Sequence, residues 1–467
     1  MDRIISLSKR RGFVFPGSEI YGGLANSWDY GPLGAQLRKN IKDFWWKTFV
    51  ETRDDMVGFD GAILMNPRVW EASGHVATFH DPLVEDVVTH KRYRADHLLE
   101  DKGINVSGMS VDQMGEKIQE LKLKSPDGNE LSAPRQFNLM FQTAIGPVQK
   151  DDASKVYLRP ETAQAMFVNF KNVAMTTRKR LPFGIAQIGK AFRNEITPGN
   201  FIFRTLEFEQ MEIEYFLEEK DWENIFEKWT ADVESFAKAV GIDTTKLHRF
   251  EVPDEDRSHY SKRTIDFMFD FPFGQKELWG MAYRTNFDLT QHQTHSGQSL
   301  EFTDPDDNKR KLLPHVIEPS FGVDRTLLAL LASSYHEETV AEGDPSTGSL
   351  RGDSVEPGQD TRIVLKFLPH MAPYQVAVLP LMKKDGMSEK AKEIYKELLK
   401  NFRVDYDEAG SLGKRYRRED EIGTPYCVTI DYETFDDNAV TVRDRDTMEQ
   451  ERVRIEELKN YLLKKMN

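Results

Sequence analysis

The chain has 467 residues, 39% hydrophobic and 30% charged, with a formal net charge of −14 and a single cysteine, Cys427. Such a length accommodates roughly two to four domains, and the composition suits globular cores. One cysteine excludes a disulfide framework and a cysteine-based zinc site. No apolar run approaches the roughly 20 residues a membrane-spanning helix needs. No apolar stretch follows Met1-Asp2-Arg3 as a secretory signal would require, so a cytoplasmic protein is expected. The acidity is uneven: residues 361–467 carry as many basic as acidic side chains, and the whole surplus lies in residues 1–360. Net charge alone therefore does not exclude a polyanionic partner.

Apolar residues recur at helical spacing from Pro32 to about Thr52, which predicts a long amphipathic helix. A short strand, Ala62–Met65, is expected to stop at Asn66-Pro67. Residues 109–124 predict a helix, and Ser125-Pro126-Asp127-Gly128 a turn. Strands are expected over 184–192, 206–217 and 264–271, and helices over 220–240, capped by Gly241, and over 321–332. In the 206–217 run, Phe208, Gln210 and Glu212 share one face at period two. Carboxylates buried there are expensive unless something cationic meets them. Residues 335–360, rich in Glu, Asp, Gly, Ser and Pro, predict a linker, and its Arg351-Gly352-Asp353 is expected from chance alone. Beyond it, strands at 375–379, 403–406, 426–431 and 439–444 alternate with helices at 388–402, 413–421 and 449–464. That pattern predicts a small α/β domain on a mixed sheet.

Three constellations carry chemistry. The first is Ala191-Phe192-Arg193-Asn194-Glu195, the loop 196–202, and Phe203-Arg204-Thr205-Leu206-Glu207-Phe208. Arg193 offers a planar fork for phosphate, Glu195 an acceptor for an amine, and Phe208 a face for a purine. The second is Glu318-Pro319-Ser320-Phe321-Gly322-Val323-Asp324-Arg325, leading into an apolar helix. The third is the helix and strand over 32–67. Each alone has an ordinary structural reading: a surface hairpin, a strand-to-helix turn, an amphipathic helix on a sheet.

Together, and in this order, they resemble motifs 2, 3 and 1 of the class II aminoacyl-tRNA synthetases. The segments Tyr21–Gly34, Trp70-Glu71-Ala72-Ser73-Gly74-His75, Arg159–Gln164, Phe208–Ile213 and His259–Lys262 are similar to those of the homodimeric glycyl-tRNA synthetases. Lys414-Arg415-Tyr416 and Asp420–Tyr426 resemble the anticodon-binding domain of that class. The resemblance covers about residues 1–330 and 361–460. It implies an α+β catalytic domain on an antiparallel sheet over 1–334, with insertions near 90–150 and 216–262. The linker 335–360 would then lead to a C-terminal α/β anticodon-binding domain over 361–467.

The same resemblance implies glycine, ATP, Mg²⁺ and tRNA(Gly) as reactants, a homodimer, and neither DNA nor a membrane as partner. Glu161, Glu212, Glu318 and Ser320 match positions around the glycine ammonium, and Arg94 and Arg284 positions near its carboxylate. Arg193, Glu195 and Arg325 match catalytic positions. With Asn194, Phe203, Arg204, Thr205, Leu206, Phe208, Glu277, Leu278, Gly322, Val323 and Asp324 they are expected to hold ATP, with Glu277 also a candidate Mg²⁺ contact. Lys414, Arg415, Arg417 and Arg418 are expected to contact tRNA phosphates. No amino acid is smaller than glycine, so a tight pocket suffices and no editing domain is expected. Two departures stand beside the site: Trp279 and Asn286 occupy positions where the family commonly has acids. A non-catalytic relative should lose the phosphate arginines or pocket carboxylates, which are all present. A threonyl enzyme would need a Cys and His metal site.

Overall fold

The computed structural model of the protein describes residues 1–106, 108–146, 155–195, 199–305, 307, 309–341 and 359–466. Its centre is a seven-stranded sheet. In spatial order the strands are Leu247–Glu251, Arg263–Phe271, Gly274–Thr285, His315–Gly322, Glu207–Leu217, Phe183–Phe192 and Met56–Gly58. All neighbours are antiparallel except the last pair, Met56–Gly58 beside Phe183–Phe192. Two helical layers cover it. On one face, Pro32–Trp46, Trp222–Val240 and Val323–Ser334 enclose the largest core, where Trp45, Phe49, Trp229, Phe236, Trp279 and Phe321 interlock. On the other, Ala163–Thr177 packs Phe167 and Phe170 against Phe183 and Phe216.

The amphipathic helix forms as its periodicity predicts: Pro32 opens it, and Leu33, Leu37, Ile41 and Trp45 are buried. Its last turn, Lys47–Glu51, widens into a π-helix. The expected strand at 62–65 is reduced to one isolated bridge, Leu64 to Leu158, and the strand that joins the sheet is Met56–Gly58. Asn66 and Pro67 instead start a short helix, Pro67–Ala72. Residues 80–138 build a separate small module around Val84, Leu99, Met114 and Ile118. Its three-stranded sheet packs on helices Ala95–Glu100 and Val111–Glu120, the latter opened by a Ser110–Gln113 capping box. Residues 216–262, expected as an insertion, extend the main sheet rather than stand apart. Trp222–Val240 lies in the main core, Gly241 ends it in the left-handed conformation (φ 96°), and Leu247–Glu251 is an edge strand.

The ends of the expected linker are ordered as a ribbon, Tyr335–Ala341 antiparallel to Gln359–Leu365. Arg351-Gly352-Asp353 lies outside the described residues. The C-terminal sheet is mixed as expected. Strands Val404–Tyr406, Val376–Pro380 and Tyr426–Ile430 are parallel, and Ala439–Asp444 and Gln450–Arg454 are antiparallel. The helix expected at 449–464 begins only at Ile455; its first residues, Gln450–Arg454, are the last strand, paired edge to edge with Ala439–Arg443. Polar contacts, buried at Asn40, tie elements of the N-terminal part to the C-terminal part. Asn40 donates to the carbonyls of Met371 (2.9 Å) and Ala372 (3.1 Å), and Arg10 and Arg11 grip Glu421.

The approach of helix Pro32–Trp46 to the Gly12–Val14 corner demands a glycine: a Cβ on Gly34 would sit 1.9 Å from the Phe13 carbonyl oxygen. Backbone cannot yield there as a flexible side chain could. Gly34→Ala is therefore expected to destabilise by about 1–3 kcal/mol, the usual range for overpacking. A lowered midpoint in calorimetry would show it, and an unchanged midpoint would contradict this packing.

Candidate active site

The strand Glu207–Leu217 runs through the middle of the sheet, so its polar face can be buried only if the residues beside it supply partners. Glu212 is 2% exposed, and three groups donate to it: the Thr162 hydroxyl, Ser320 Oγ (2.8 Å) and the Gln210 amide (3.3 Å). Glu318, on the neighbouring strand, accepts from Arg284 Nη1 at 2.8 Å. Arg284 is itself 2% exposed, doubly bonded to Asp288 (2.8 and 2.9 Å), with its guanidinium carbon 3.8 Å from the Tyr260 ring centre. Glu161, just before helix Ala163–Thr177, meets His75 at 3.3 Å and Gln164 at 2.9 Å. These groups form an acidic floor.

Burial and mutual repulsion set its charge. Burial pushes Glu212 up, and the charge of Glu161 adds to that. Burial also raises Glu318, against the pull of Arg284. For Glu161 burial alone would do the same, but His75, Arg284 and Gln164 outweigh it and hold the carboxyl low.

One cavity opens beside this floor. It is lined by Arg193, Glu195, Phe203, Arg204, Thr205, Phe208, Glu277, Leu278, Gly322, Asp324 and Arg325, and also by Gln210 and Ser320. Ser320 therefore joins the two parts, facing the cavity and donating to Glu212. Two arginines bracket the opening. Arg193 lies 5.4 Å from the Phe208 ring and donates to the Pro160 carbonyl (3.0 Å). Arg325 lies 4.4 Å from the Phe203 ring and 3.1 Å from Glu277. Glu195 pairs at 3.7 Å with Arg204. The cavity can thus take a planar ring against phenylalanine, phosphates against two arginines, and an ammonium against the floor.

Most of the expected residues meet here. Three expected at the nucleotide do not line the cavity. Asn194 binds Leu139 through its backbone, Leu206 accepts from the Arg193 backbone, and Val323 is core. Asp324 is buried and held by Tyr30, the Glu209 amide and Arg38. Arg94 lies apart, bonded to Asp81 (3.0 Å) and Asp96. Arg284 is fully occupied by two carboxylates. Of the loop 196–202, residues 196–198 lie outside the described residues.

Trp279 also lines the cavity, while its side chain belongs to the core behind the sheet. Its indole is 1% exposed, donates to Thr326 Oγ1 (2.9 Å) and packs on Phe236 and Phe321. Asn286 is the N-cap position of helix Phe287–Ser296.

The expected basic cluster in the C-terminal domain is corrected. Helix Leu412–Ile422 is sandwiched against the sheet, so Arg415 (2% exposed) and Arg417 (7%) are buried. Arg415 binds the carbonyls of Pro380, Asp407 and Leu381, and Arg418 grips Asp407. Lys414 alone of the four is exposed.

Comparison with known proteins agrees with this geometry. The model of the tRNA synthetase class II core domain (G, H, P, S and T) matches residues 146–334, and the anticodon binding domain matches 375–465. The glycine–tRNA ligase of Bacillus anthracis is 50% identical over 477 residues, covering 100% of this chain and 99% of the relative. Those of Geobacillus thermodenitrificans and Clostridium kluyveri are 51% identical, over 100% of this chain and 97% and 98% of theirs. The chain belongs to the glycine–tRNA ligase family.

Within that family's fold, the site also uses residues that sequence reasoning passed over. His75 is hydrogen-bonded by Ser73 at 2.8 Å and buttresses Glu161. Asp288 lies four residues beyond Arg284, in the first turn of helix Phe287–Ser296 that follows the strand carrying the arginine. Glu214 continues the period-two face begun by Gln210 and Glu212, and is wholly buried. Asp266 faces Glu277 across Gly280, and burial with the Glu277 charge pushes it up to about 7.

Asp266 and the Glu214–Glu318 pair hold protons more tightly folded than unfolded. Each gives stability that is complete below the ordinary carboxylate range and lost as pH rises through its folded value. His292, held down to about 4, is already neutral above pH 7 and does not oppose this. The substrate-free protein is expected to lose up to about 1.4 kcal/mol per pH unit between about pH 6.5 and 8 from the Glu214–Glu318 proton, with Asp266 adding to the loss only up to about pH 7. Calorimetry across that range would show a falling midpoint; a rising one would mean the floor is ionised.

Proposed function

We propose that the chain activates glycine with ATP and transfers it to tRNA(Gly), acting as a homodimer with Mg²⁺. The observation that carries this reading is the junction at Ser320, where a buried acidic floor opens into an arginine-bracketed cavity.

Glycine offers only an ammonium and a carboxylate. Glu161, Glu212 and Glu318 receive the ammonium, whose charge relieves their repulsion, and the tight floor leaves no room for a side chain. Arg193 meets the α-phosphate and Glu195 the adenine amine, while Phe208 and Arg325 enclose the base. Attack of the glycine carboxylate on the α-phosphorus expels pyrophosphate, and the terminal tRNA hydroxyl then takes the glycyl group. No enzyme nucleophile is needed; positioning and charge stabilisation suffice. Glu277 and Asp266, two repelling carboxylates at the cavity edge, are a hard-oxygen donor set suited to Mg²⁺, which would neutralise phosphate charge. Arg94 is held by Asp81 and Asp96, both within the module at 80–138, so its part is to brace that module. In the C-terminal domain, 361–467 after a connector at 335–360, Lys414 remains to meet tRNA phosphate.

Amino-acid-dependent ATP–pyrophosphate exchange, run with each of the twenty amino acids, is expected to respond to glycine alone. Glu212→Gln is expected to lose about 100-fold in kcat/KM for glycine, the scale of a charged hydrogen bond. Exchange with another amino acid, or with none, would overturn the reading.

The dimer is supported by an unpartnered apolar tip beside helix Pro32–Trp46. Ile20 and Tyr21 are 89% and 88% exposed, and Leu24 61%. Light scattering is expected to give twice the 53.9 kDa chain mass, and Tyr21→Asp to shift the population to monomer. A single species at 53.9 kDa for the unaltered chain would refute dimerisation.

A further inference from the structure

Glu214 is a buried charged-type residue to which the reaction above gives no role. It is 0% exposed, and among the described residues neither carboxyl oxygen has a hydrogen-bond partner. Its neighbours make this unusual. The register that sets Glu212 opposite Ser320 and Tyr215 opposite Ile317 places Glu214 directly across from Glu318. One oxygen each of Glu212, Glu214 and Glu318 lie within 4.8 Å of one another.

The charges that face it are accounted for on every side. Glu212 stands on its own strand, with donors from Thr162, Ser320 and Gln210. Glu318 stands on the strand His315–Gly322, and Arg284 on Gly274–Thr285 divides itself between Glu318 and Asp288 of the helix beyond. On the remaining side its cross-strand neighbour is Ile185. No donor reaches Glu214 from any of these elements.

A carboxylate in that position would be a buried anion beside two more anions, without solvent or a donor. A carboxylic acid would not: its O–H is itself a donor, and its carboxyl group has an oxygen within 4.8 Å of one of Glu318. We propose that Glu214 works as a neutral carboxylic acid that keeps its proton, donates a hydrogen bond to Glu318 and so positions that carboxylate for the substrate ammonium. It is a positioning residue rather than a fourth ligand. The inference rests on the glycine reading above and deepens it. It also limits the charge of the floor: with Glu214 neutral, Glu161, Glu212 and Glu318 suit one ammonium near Arg284. Burial first, and the Glu318 charge second, hold Glu214 well above the ordinary carboxylate range, which agrees with this state.

The test compares two variants in glycine-dependent pyrophosphate exchange. Glu214→Gln keeps a neutral donor of the same shape and is expected to hold kcat/KM for glycine within about threefold. Glu214→Leu has no donor and is expected to raise KM for glycine at least tenfold, with kcat much less affected. Infrared difference spectra, unaltered protein minus Glu214→Gln at pH 7, are expected to show a protonated carboxyl C=O band. A Glu214→Gln loss as deep as that of Glu212→Gln, or no protonated band, would make Glu214 a charged ligand and overturn the proposal. Equal KM in all three proteins would reduce it to a space-filling role and overturn it as well. The infrared band needs no substrate, so it separates failure here from failure of the glycine reading, which would appear as no glycine-dependent exchange by the unaltered protein.

Discussion

Burying several carboxylates on one sheet face, with a single guanidinium divided among them, is the constraint around which this structure is arranged. Arg284 cannot neutralise both Asp288 and Glu318 and also Glu212 and Glu214. The remainder is met by hydroxyls from Thr162 and Ser320, by amides from Gln210 and Gln164, and by retained protons. In the glycine reading proposed above, the substrate ammonium completes this arrangement. Stability and recognition are therefore set by the same groups.

The frame must hold these groups without yielding. Its rigidity comes from the aromatic core behind the sheet, where Trp45, Phe49, Phe236 and Trp279 lock helix Pro32–Trp46 and helix Trp222–Val240 against the strands. Arg193 and Arg325 are placed by that frame. Arg193 hangs from the end of the Phe183–Phe192 strand and is anchored on the Pro160 carbonyl; Arg325 sits in the first turn of the helix that follows Gly322. Both lie against phenylalanine rings, so their charged heads are presented at the cavity with little freedom.

The C-terminal domain shows the opposite use of arginine. In helix Leu412–Ile422 Arg415 is an internal brace, bonded to the Pro380 and Leu381 carbonyls at the end of a parallel strand, while Arg418 grips Asp407. Asp420 meanwhile joins Arg362 of the connecting ribbon to Arg443 of the sheet. Basic residues that appear as a polyanion patch in one dimension are here the means of fixing one domain's interior and its attachment.

Local pattern was enough to place most helices and strands, because periodicity, caps and turns are properties of neighbouring residues. It was enough, too, for the motif-bearing residues Arg193, Glu195, Glu212, Glu318 and Arg325, whose separation along the chain reflects strand–loop–strand and strand–helix units. It misassigned Ala62–Met65, an apolar run that finds only one bridge partner, and the start of 449–464, where short alternation fits strand and helix equally and only pairing partners decide. The rest depended on three dimensions. Nothing adjacent to Arg415 or Arg417 tells which way the helix turns, so their burial was invisible. Glu214 lay on a face already recognised as acidic, yet its lack of any partner is a fact about Glu318, Arg284 and Ile185, which come from other strands. Sequence alone therefore named most of the residues that meet at the cavity and its floor. Tertiary structure decided which of them are charged, paired or left wanting a proton, because desolvation and Coulomb energy depend on neighbours in space and not on neighbours in the chain.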